Sequence, residues 1–331
     1  MTAVQPPSPA PRSFDWLGFL ERYGGALVLI ALVIFFTAQN VRFISPRNLA
    51  NILTEVSIYG VVAVGMTFVI LTRGVDLAVG SLVGLTGILA AMTAVALAPS
   101  GVDWLLAMIV ALAVGGGVGL VHGKVVTWLG VPPFIVTLGG LTVWRGFTLM
   151  VNDGAPVSGL SEAFQWWGSG RIVGVPTPVV VFALVAAGGF ATLRYTRYGR
   201  HVYAVGGNPE AARLSGLNVG AVLTSVYVIV GALSGLAGFL LSARLGSGEA
   251  VAGTGYELRI IASVVIGGAS LFGGLGGVGG TVIGAMLIGV LTNGLVIMDV
   301  SAYLQQVVIG VIIVAAVAFD TYAKSHRRPK R

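Results

Sequence analysis

The chain contains no cysteine. That excludes disulfides, thiolate metal sites and cysteine nucleophiles together, and it leaves the redox compartment open. Charge is scarce as well. Only 9% of the 331 residues are Asp, Glu, Lys or Arg, against about 25% in an average soluble domain. A water-facing surface needs those charges, so a soluble globular domain is excluded. Histidine is nearly absent. His122, His201 and His326 are read as loop or tail residues, and none has the spacing of an H-E-x-x-H metal site. The acids Glu55, Asp76, Asp103, Glu257 and Asp299 fall at the edges of apolar runs. Enzymes gather reactive groups at one site, and ion-driven transporters keep acids or histidines inside the membrane. Neither pattern is present in the sequence. A nucleotide-binding P-loop is missing too: Gly123-Lys124 is followed by Val125, with Val118 at the required upstream glycine.

What fills the chain is apolar. The hydrophobic set makes up 56% of it, and the mean hydropathy is +0.94. There are 50 glycines without a G-X-Y period, so collagen is out. Small residues within apolar runs are what close helix packing in lipid requires. The expected fold is all-α, a polytopic integral membrane helical bundle.

A helix crosses the hydrocarbon with about 20 residues. The apolar runs give about ten candidate spans: 24–39, 56–72, 77–97, 104–121, 131–150, 177–193, 219–243, 260–272, 276–298 and 302–319. The eighth is short, a half-helix or an extension of the ninth, so eight to ten spans are admissible and ten are preferred. The permease domain is placed at 24–320. A proline-rich segment, 1–23, is expected to be disordered and cytoplasmic. It lacks the early apolar core of a cleavable signal peptide. A basic cytoplasmic tail, 321–331, follows the last span.

Lysine and arginine in short loops set orientation. With the N-terminus inside, thirteen fall on the cytoplasmic side and five outside, with Arg145 inside a span. Both termini are therefore expected in the cytoplasm. The net charge of +7 is read as this bias and not as a nucleic-acid surface, because the basic residues sit in loops and tail rather than on one helix face. Two loops are long. The outer loop 151–176 carries Trp166 and Trp167, which suit the headgroup zone or a docking surface. The inner loop 194–218 is basic. Within it Asn208-Pro209-Glu210 reads as N-cap, first-turn proline and acidic first turn, with Gly216 as a stop.

Glycine-rich motifs are weak singly. Gly274 to Gly279 matches G-x-G-x-x-G but lacks the strand before it that a dinucleotide site needs. Gly231/Gly235, Gly276/Gly280 and Gly280/Gly284 have GxxxG spacing, which fits helix contact. A shift of 200 aligns Thr72–Gly84 with Phe272–Gly284 and superposes Gly74, Gly80 and Gly84 on Gly274, Gly280 and Gly284. Internal repeats of this kind mark transporters, although two glycine-rich runs also align by chance.

Several segments in order carry a resemblance. They are Gly74-Val75-Asp76-Leu77-Ala78-Val79-Gly80-Ser81, Pro133 to Gly139 followed by Trp144-Arg145-Gly146, Gly199 to Gly216, Ala252 to Leu258, and Ile266 to Leu271. Together they resemble the permease subunit of ABC-type monosaccharide importers, ribose/xylose-type branch, over roughly residues 45–322. Arg259 stands where that family usually has an acid, and Leu275-Gly276-Gly277 where a basic residue is common.

The resemblance implies a multi-pass protein of the bacterial plasma (inner) membrane, paired with a second permease copy or homologue and surrounded by lipid. It implies two ABC ATPase subunits and an extracytoplasmic sugar-binding protein. ATP and magnesium would be bound by the ATPases, with no cofactor on this chain. The ATPase-coupling loop would be Gly206, Gly207, Asn208, Pro209, Glu210, Ala211, Ala212, Arg213, Leu214, Ser215 and Gly216. Candidate pathway or gating residues are Asp76, Phe134, Thr137, Trp144, Arg145 and Asn293. A ribose- or xylose-like pentose is the favoured solute. The alternatives are a self-sufficient facilitator or secondary transporter, or a relative carrying an autoinducer, nucleoside or branched-chain amino acid.

Overall fold

The structure, a computed structural model, describes residues 16–98 and 101–327. It is helical almost throughout. The helices are α1 (Trp16–Gln39), α2 (Pro46–Leu71), α3 (Val79–Leu97), α4 (Asp103–Trp128), α5 (Pro133–Met150), α6 (Glu162–Ser169) and α7 (Thr177–Tyr195). They continue as α8 (Arg197–Gly207), α9 (Pro209–Leu214), α10 (Val219–Leu245), α11 (Tyr256–Ile266), α12 (Val278–Ile297) and α13 (Ala302–Arg327). Between α6 and α7, β1 (Arg171–Ile172) pairs antiparallel with β2 (Val175–Pro176), Arg171 opposite Pro176. Among the described residues, six helices are long and apolar enough to cross a membrane: α2, α3, α4, α7, α10 and α12. Shorter apolar stretches, Gly24–Gln39 in α1 and Ala302–Ile312 in α13, accompany them. The chain is thus an all-α polytopic membrane bundle.

All ten expected spans have a helix over them, and the differences lie at the ends. Helix α2 starts at Pro46 rather than 56. Ser45 caps it by accepting from the Asn48 amide, and Pro46 occupies the first turn. The polar residues Asn48, Asn51 and Glu55 had hidden this stretch from a hydropathy reading. Helix α1 begins at Trp16, so 16–23 is helical, in keeping with the helix propensity of Leu, Glu and Arg. The expected disorder before Trp16 lies outside the described residues, as does the end of the tail. Helix α13 carries the tail's backbone on to Arg327.

Helix α2 is the central pillar. Every residue from Val56 to Leu71 is buried. Such a helix needs no polar face, because its neighbours and not water surround it. Side-chain hydroxyls tie it to α12: Tyr59 donates to the Ala285 carbonyl at 2.7 Å, and Thr67 bonds Thr281 at 2.7 Å. Helix α10 packs along α4 through backbone contact. A methyl group at Gly115 would strike the Gly231 carbonyl, and one at Gly235 the Ala111 carbonyl. In lipid, where apolar burial gives helices no preference for one another, close approach is the main source of attraction.

The eighth span is a half-helix. Helix α10 ends at Leu245 and Gly246 reverses the chain in the left-handed region, at φ 69°. The chain then descends beside α3 as non-helical backbone. Gly248 lies against Ile88 and Ala91, and Gly253 against the Gly80 carbonyl and Val83. Along α3 that is a descent of roughly 16 Å. Only then does α11 begin. Irregular backbone at this depth survives only when protein satisfies its polar groups.

The outer loop is ordered. Ser161 caps α6 and also donates to Asp103 Oδ2 at 2.5 Å. Phe164 is buried against Phe239, and Trp167 packs on Trp104 with centroids 5.1 Å apart. Trp167 is therefore an anchor on the bundle, while Trp166 keeps an exposed face.

Candidate functional site

Two sites emerge, one inside the bundle and one on the face that carries α8 and α9. The interior site begins where α2 ends. Past the exposed Arg73, residues 74–78 fold back into the bundle and deliver Asp76, 1% exposed, to its interior. Asp76 Oδ1 accepts from the Ala78 amide at 2.8 Å, closing a turn that starts α3. Its other oxygen lies 3.5 Å from His122 Nδ1. His122 Nε2 accepts from Trp144 Nε1–H at 2.9 Å, which leaves Nδ1 as the protonated nitrogen facing Asp76. Gly140 makes room for this ring, since a methyl there would sit 2.6 Å from His122 Nε2. Thr137 is buried and donates between the carbonyls of Val75 (3.2 Å) and Pro133 (3.0 Å), holding the same turn. The Tyr227 hydroxyl closes the cluster against Gly74 and has no hydrogen-bond partner among the described residues.

Arg145, the next residue after Trp144, does different work. Its guanidinium donates to the carbonyls of Ala250 (2.8 Å) and Ala252 (3.0 Å), and reaches that of Gly80 (3.4 Å). Ala250 and Ala252 belong to the descending non-helical segment. Arg145 supplies the donors that a helix would have supplied, so it neither snorkels to an interface nor stands idle.

The expected candidates therefore divide. Asp76, Thr137, Trp144 and Arg145 converge around α3's start. Phe134 lies exposed at the start of α5, and Asn293 is elsewhere, exchanging amide hydrogen bonds with Asn48 at 2.8 and 3.0 Å. His122 is the residue that sequence reasoning misplaced. It was read as a loop residue because Gly123-Lys124 follows it, but α4 continues to Trp128 and buries it. A usable signal was the stripe of small and apolar residues Ala107, Ala111, Gly115, Val118 and Gly119, which at helical spacing continues to His122 and is buried on α4. The acids Asp76 and Asp103 are likewise buried, not marginal. Glu55 pairs with Arg259 at 3.2 Å across α2 and α11.

The second site is built on α8 and α9. Asn208 Oδ1 accepts from the amides of Glu210 and Ala211, both at 3.1 Å, with Pro209 in the first turn. Gly216, at φ 84°, ends the unit. Glu210 and Arg213 make an i,i+3 contact at 3.9 Å with both side chains mostly exposed, so they hold little energy and remain available to a partner. Only Ala212 of α9 is buried. Helix α8 attaches α9 to the bundle: Tyr198 bonds Ser225 at 2.7 Å, and Tyr203 donates to the Gly276 carbonyl at 2.8 Å. Burial pushes the Tyr203 phenol above its ordinary value, while Arg194 pulls it down.

A bundle with a satisfied re-entrant stretch, an interior polar cluster and an exposed capped helix on a basic loop defines the class: a membrane transport permease. The comparisons agree. The family model described as the permease component of a branched-chain amino acid transport system matches residues 48–317. The chain belongs to that family, as a multi-pass plasma-membrane transport subunit that is not itself an enzyme. It is 45% identical to the ribose import permease protein of Escherichia coli over 92% of this chain and 94% of that protein. It is 38% identical to the D-allose transport system permease protein of Escherichia coli, over 96% and 97%. The xylose transport system permease protein of the same organism is 37% identical over 89% and 90%. The resemblance to permeases of ABC-type monosaccharide importers is thereby borne out. No solved structure matches the chain.

Proposed function

We propose that the chain is the membrane-spanning subunit of an ATP-driven importer that carries a monosaccharide, a ribose- or xylose-type pentose, into the cell. The observation that carries the coupling is α9, an exposed, capped, charged helix that buries only Ala212. Such a helix gains nothing from lipid or core and is built for a protein partner. Separate ATPase subunits bind ATP and magnesium and receive α9 in a groove. An extracytoplasmic sugar-binding protein delivers the solute, and a second permease copy or homologue completes the pathway. Both termini lie in the cytoplasm, which places α8, α9 and the basic loops on the ATPase side. The sugar assignment is supported by the names of the ribose, allose and xylose relatives.

Asp76, His122 and Trp144 satisfy one another inside the bundle, and a rearrangement that parts them would present an aromatic face and hydrogen-bonding groups, the chemistry a sugar uses. Arg145 keeps the adjoining non-helical segment satisfied, so that segment can line a path without collapsing. The sugar crosses unchanged.

The test is uptake of labelled ribose, xylose, allose and leucine into proteoliposomes holding the chain with or without its ATPase and binding protein. Pentose uptake that requires ATP and the ATPase, and that survives an uncoupler of the proton gradient, supports the reading. Flux through the chain alone marks a facilitator. ATP-dependent leucine uptake without sugar uptake moves the solute to the amino-acid class.

A further inference from the structure

Besides Tyr198 and Tyr203, a third side chain ties the α8–α9 unit to the bundle, and neither the family likeness nor the sequence motifs single it out. Arg73 follows the last turn of α2. Its Nε donates to the Gly206 carbonyl at 2.6 Å, and its second terminal nitrogen donates to the Gly207 carbonyl. These are the last two residues of α8, immediately before the Asn208 cap of α9. The junction has no slack. A methyl group on Gly206 would strike the Leu71 carbonyl and lie 2.8 Å from the Gly274 nitrogen. The Gly274 amide itself donates to Leu71 at 2.9 Å. The aliphatic stem of Arg73 covers Gly273. Three chain segments thus meet at one point: the turn 72–78 that opens α3, the turn 267–277 that opens α12, and the foot of α9.

Two further observations give Arg73 a role beyond packing. Its backbone is left-handed, at φ 66°, a conformation that crowds the Cβ of any non-glycine residue. In the alignment shifted by 200, position 73 falls on Gly273, which adopts the same conformation at φ 79° with a glycine. The second half of the repeat uses the residue that fits this backbone. The first half keeps an arginine there against its conformational preference, and what the arginine adds is the guanidinium fork on the Gly206 and Gly207 carbonyls. The repeat extends inward as well: Gly80 and Gly84 approach the carbonyls of Gly253 and Ala252, and Gly280 and Gly284 those of Gly267 and Ser263.

We propose that Arg73 is the transmission residue of this permease, clasping the foot of α9 to both re-entrant turns so that one displacement of α9 drives the starts of α3 and α12 together. The turn 72–78 carries Asp76, so the same displacement reaches the polar cluster with His122 and Trp144. The inference rests on the coupling role proposed for α9. Arg73 is a positioning residue in this scheme and touches no solute.

The experiment uses the whole importer in proteoliposomes, with ATP hydrolysis and sugar uptake measured on the same vesicles for wild type, Arg73→Gln and Arg73→Lys. The expected result for Arg73→Gln is an assembled complex whose hydrolysis stays within about twofold of wild type while uptake per ATP falls by at least tenfold. Arg73→Lys, which keeps a charged donor, recovers part of that ratio. A purely structural role would lower both rates together. The absence of cysteine allows a second readout. Spin labels at Ala204→Cys on α8, outside the coupling loop, and Leu275→Cys in the turn, both exposed, keep a constant separation through the ATP cycle in wild type and lose it in Arg73→Gln. Uptake per ATP unchanged in Arg73→Gln, or a label separation indifferent to Arg73, overturns the proposal while leaving the importer reading intact. Wild-type flux without any ATPase overturns both.

Discussion

Replacing Gly119 by alanine adds one methyl group at the seam of α4 and α10. That carbon would fall against the Tyr227 carbonyl oxygen, 2.7 Å from its carbon and 2.9 Å from Val228 Cα. Ordinary carbon–oxygen contacts start near 3.3 Å, so the helices must part by roughly 1 Å or more at this point. Neither can pivot freely, because Gly115 meets Gly231 one turn away and Gly123 meets Thr224 on the other side. Overpacking of this kind costs about 1–3 kcal/mol. Alanine also gains about 1 kcal/mol of helix propensity over glycine. Gly117→Ala receives that gain without the clash, since its methyl group would have nothing within 4 Å. The propensity term is common to both variants, so the difference between them isolates the seam: about 1–3 kcal/mol in favour of Gly117→Ala. Thermal denaturation in one detergent at one scan rate reads this as a midpoint lower for Gly119→Ala by several degrees. Since His122 follows on the same helix, Gly119→Ala is also expected to lower uptake more than Gly117→Ala does. Equal midpoints for the two variants would refute the close-contact reasoning.

Arg145→Leu leaves the Ala250 and Ala252 carbonyls without their donor, at about 1–3 kcal/mol each; limited proteolysis at 246–255 should rise sharply, and Arg145→Lys should restore part of the protection. Asn293→Leu strips Asn48 of its amide partner and costs about 1–3 kcal/mol, whereas the Asn48→Leu, Asn293→Leu pair costs less than the two singles summed, which a double-mutant cycle measures. Gly206→Ala should cut ATP-driven uptake at least tenfold through its clash with Leu71, while Gly207→Ala, with open space at that position, should transport normally; matched activities would remove the tight junction. Glu210→Lys with Arg213→Glu preserves the exposed pair and the fold but inverts the face offered to the ATPase, so insertion should be normal and uptake lost, and wild-type uptake would falsify α9 as the coupling element.

Composition and the placement of apolar runs alone determined that this chain is a membrane bundle and, apart from their ends, where its ten spans lie. Hydrocarbon admits only apolar, internally hydrogen-bonded segments, and that constraint acts on each segment separately, so it is written locally. The α9 unit was legible for the same reason: Asn208, Pro209, Glu210 and Gly216 are cap, first-turn and stop signals acting within one turn of helix. Only the tertiary structure decided what the polar residues do. Asp76 looked marginal because its neighbours along the chain are a turn, and it is buried because that turn folds back beside His122, which is distant in sequence. Arg145 was a lone charge inside a span until the carbonyls of Ala250 and Ala252 were seen beside it. Arg73 was one more cytoplasmic positive charge until Gly206 and Gly273 closed around it. A polar group in such a fold is defined by the partner that satisfies it, and in each of these cases the partner is brought in by packing between helices that no local pattern specifies.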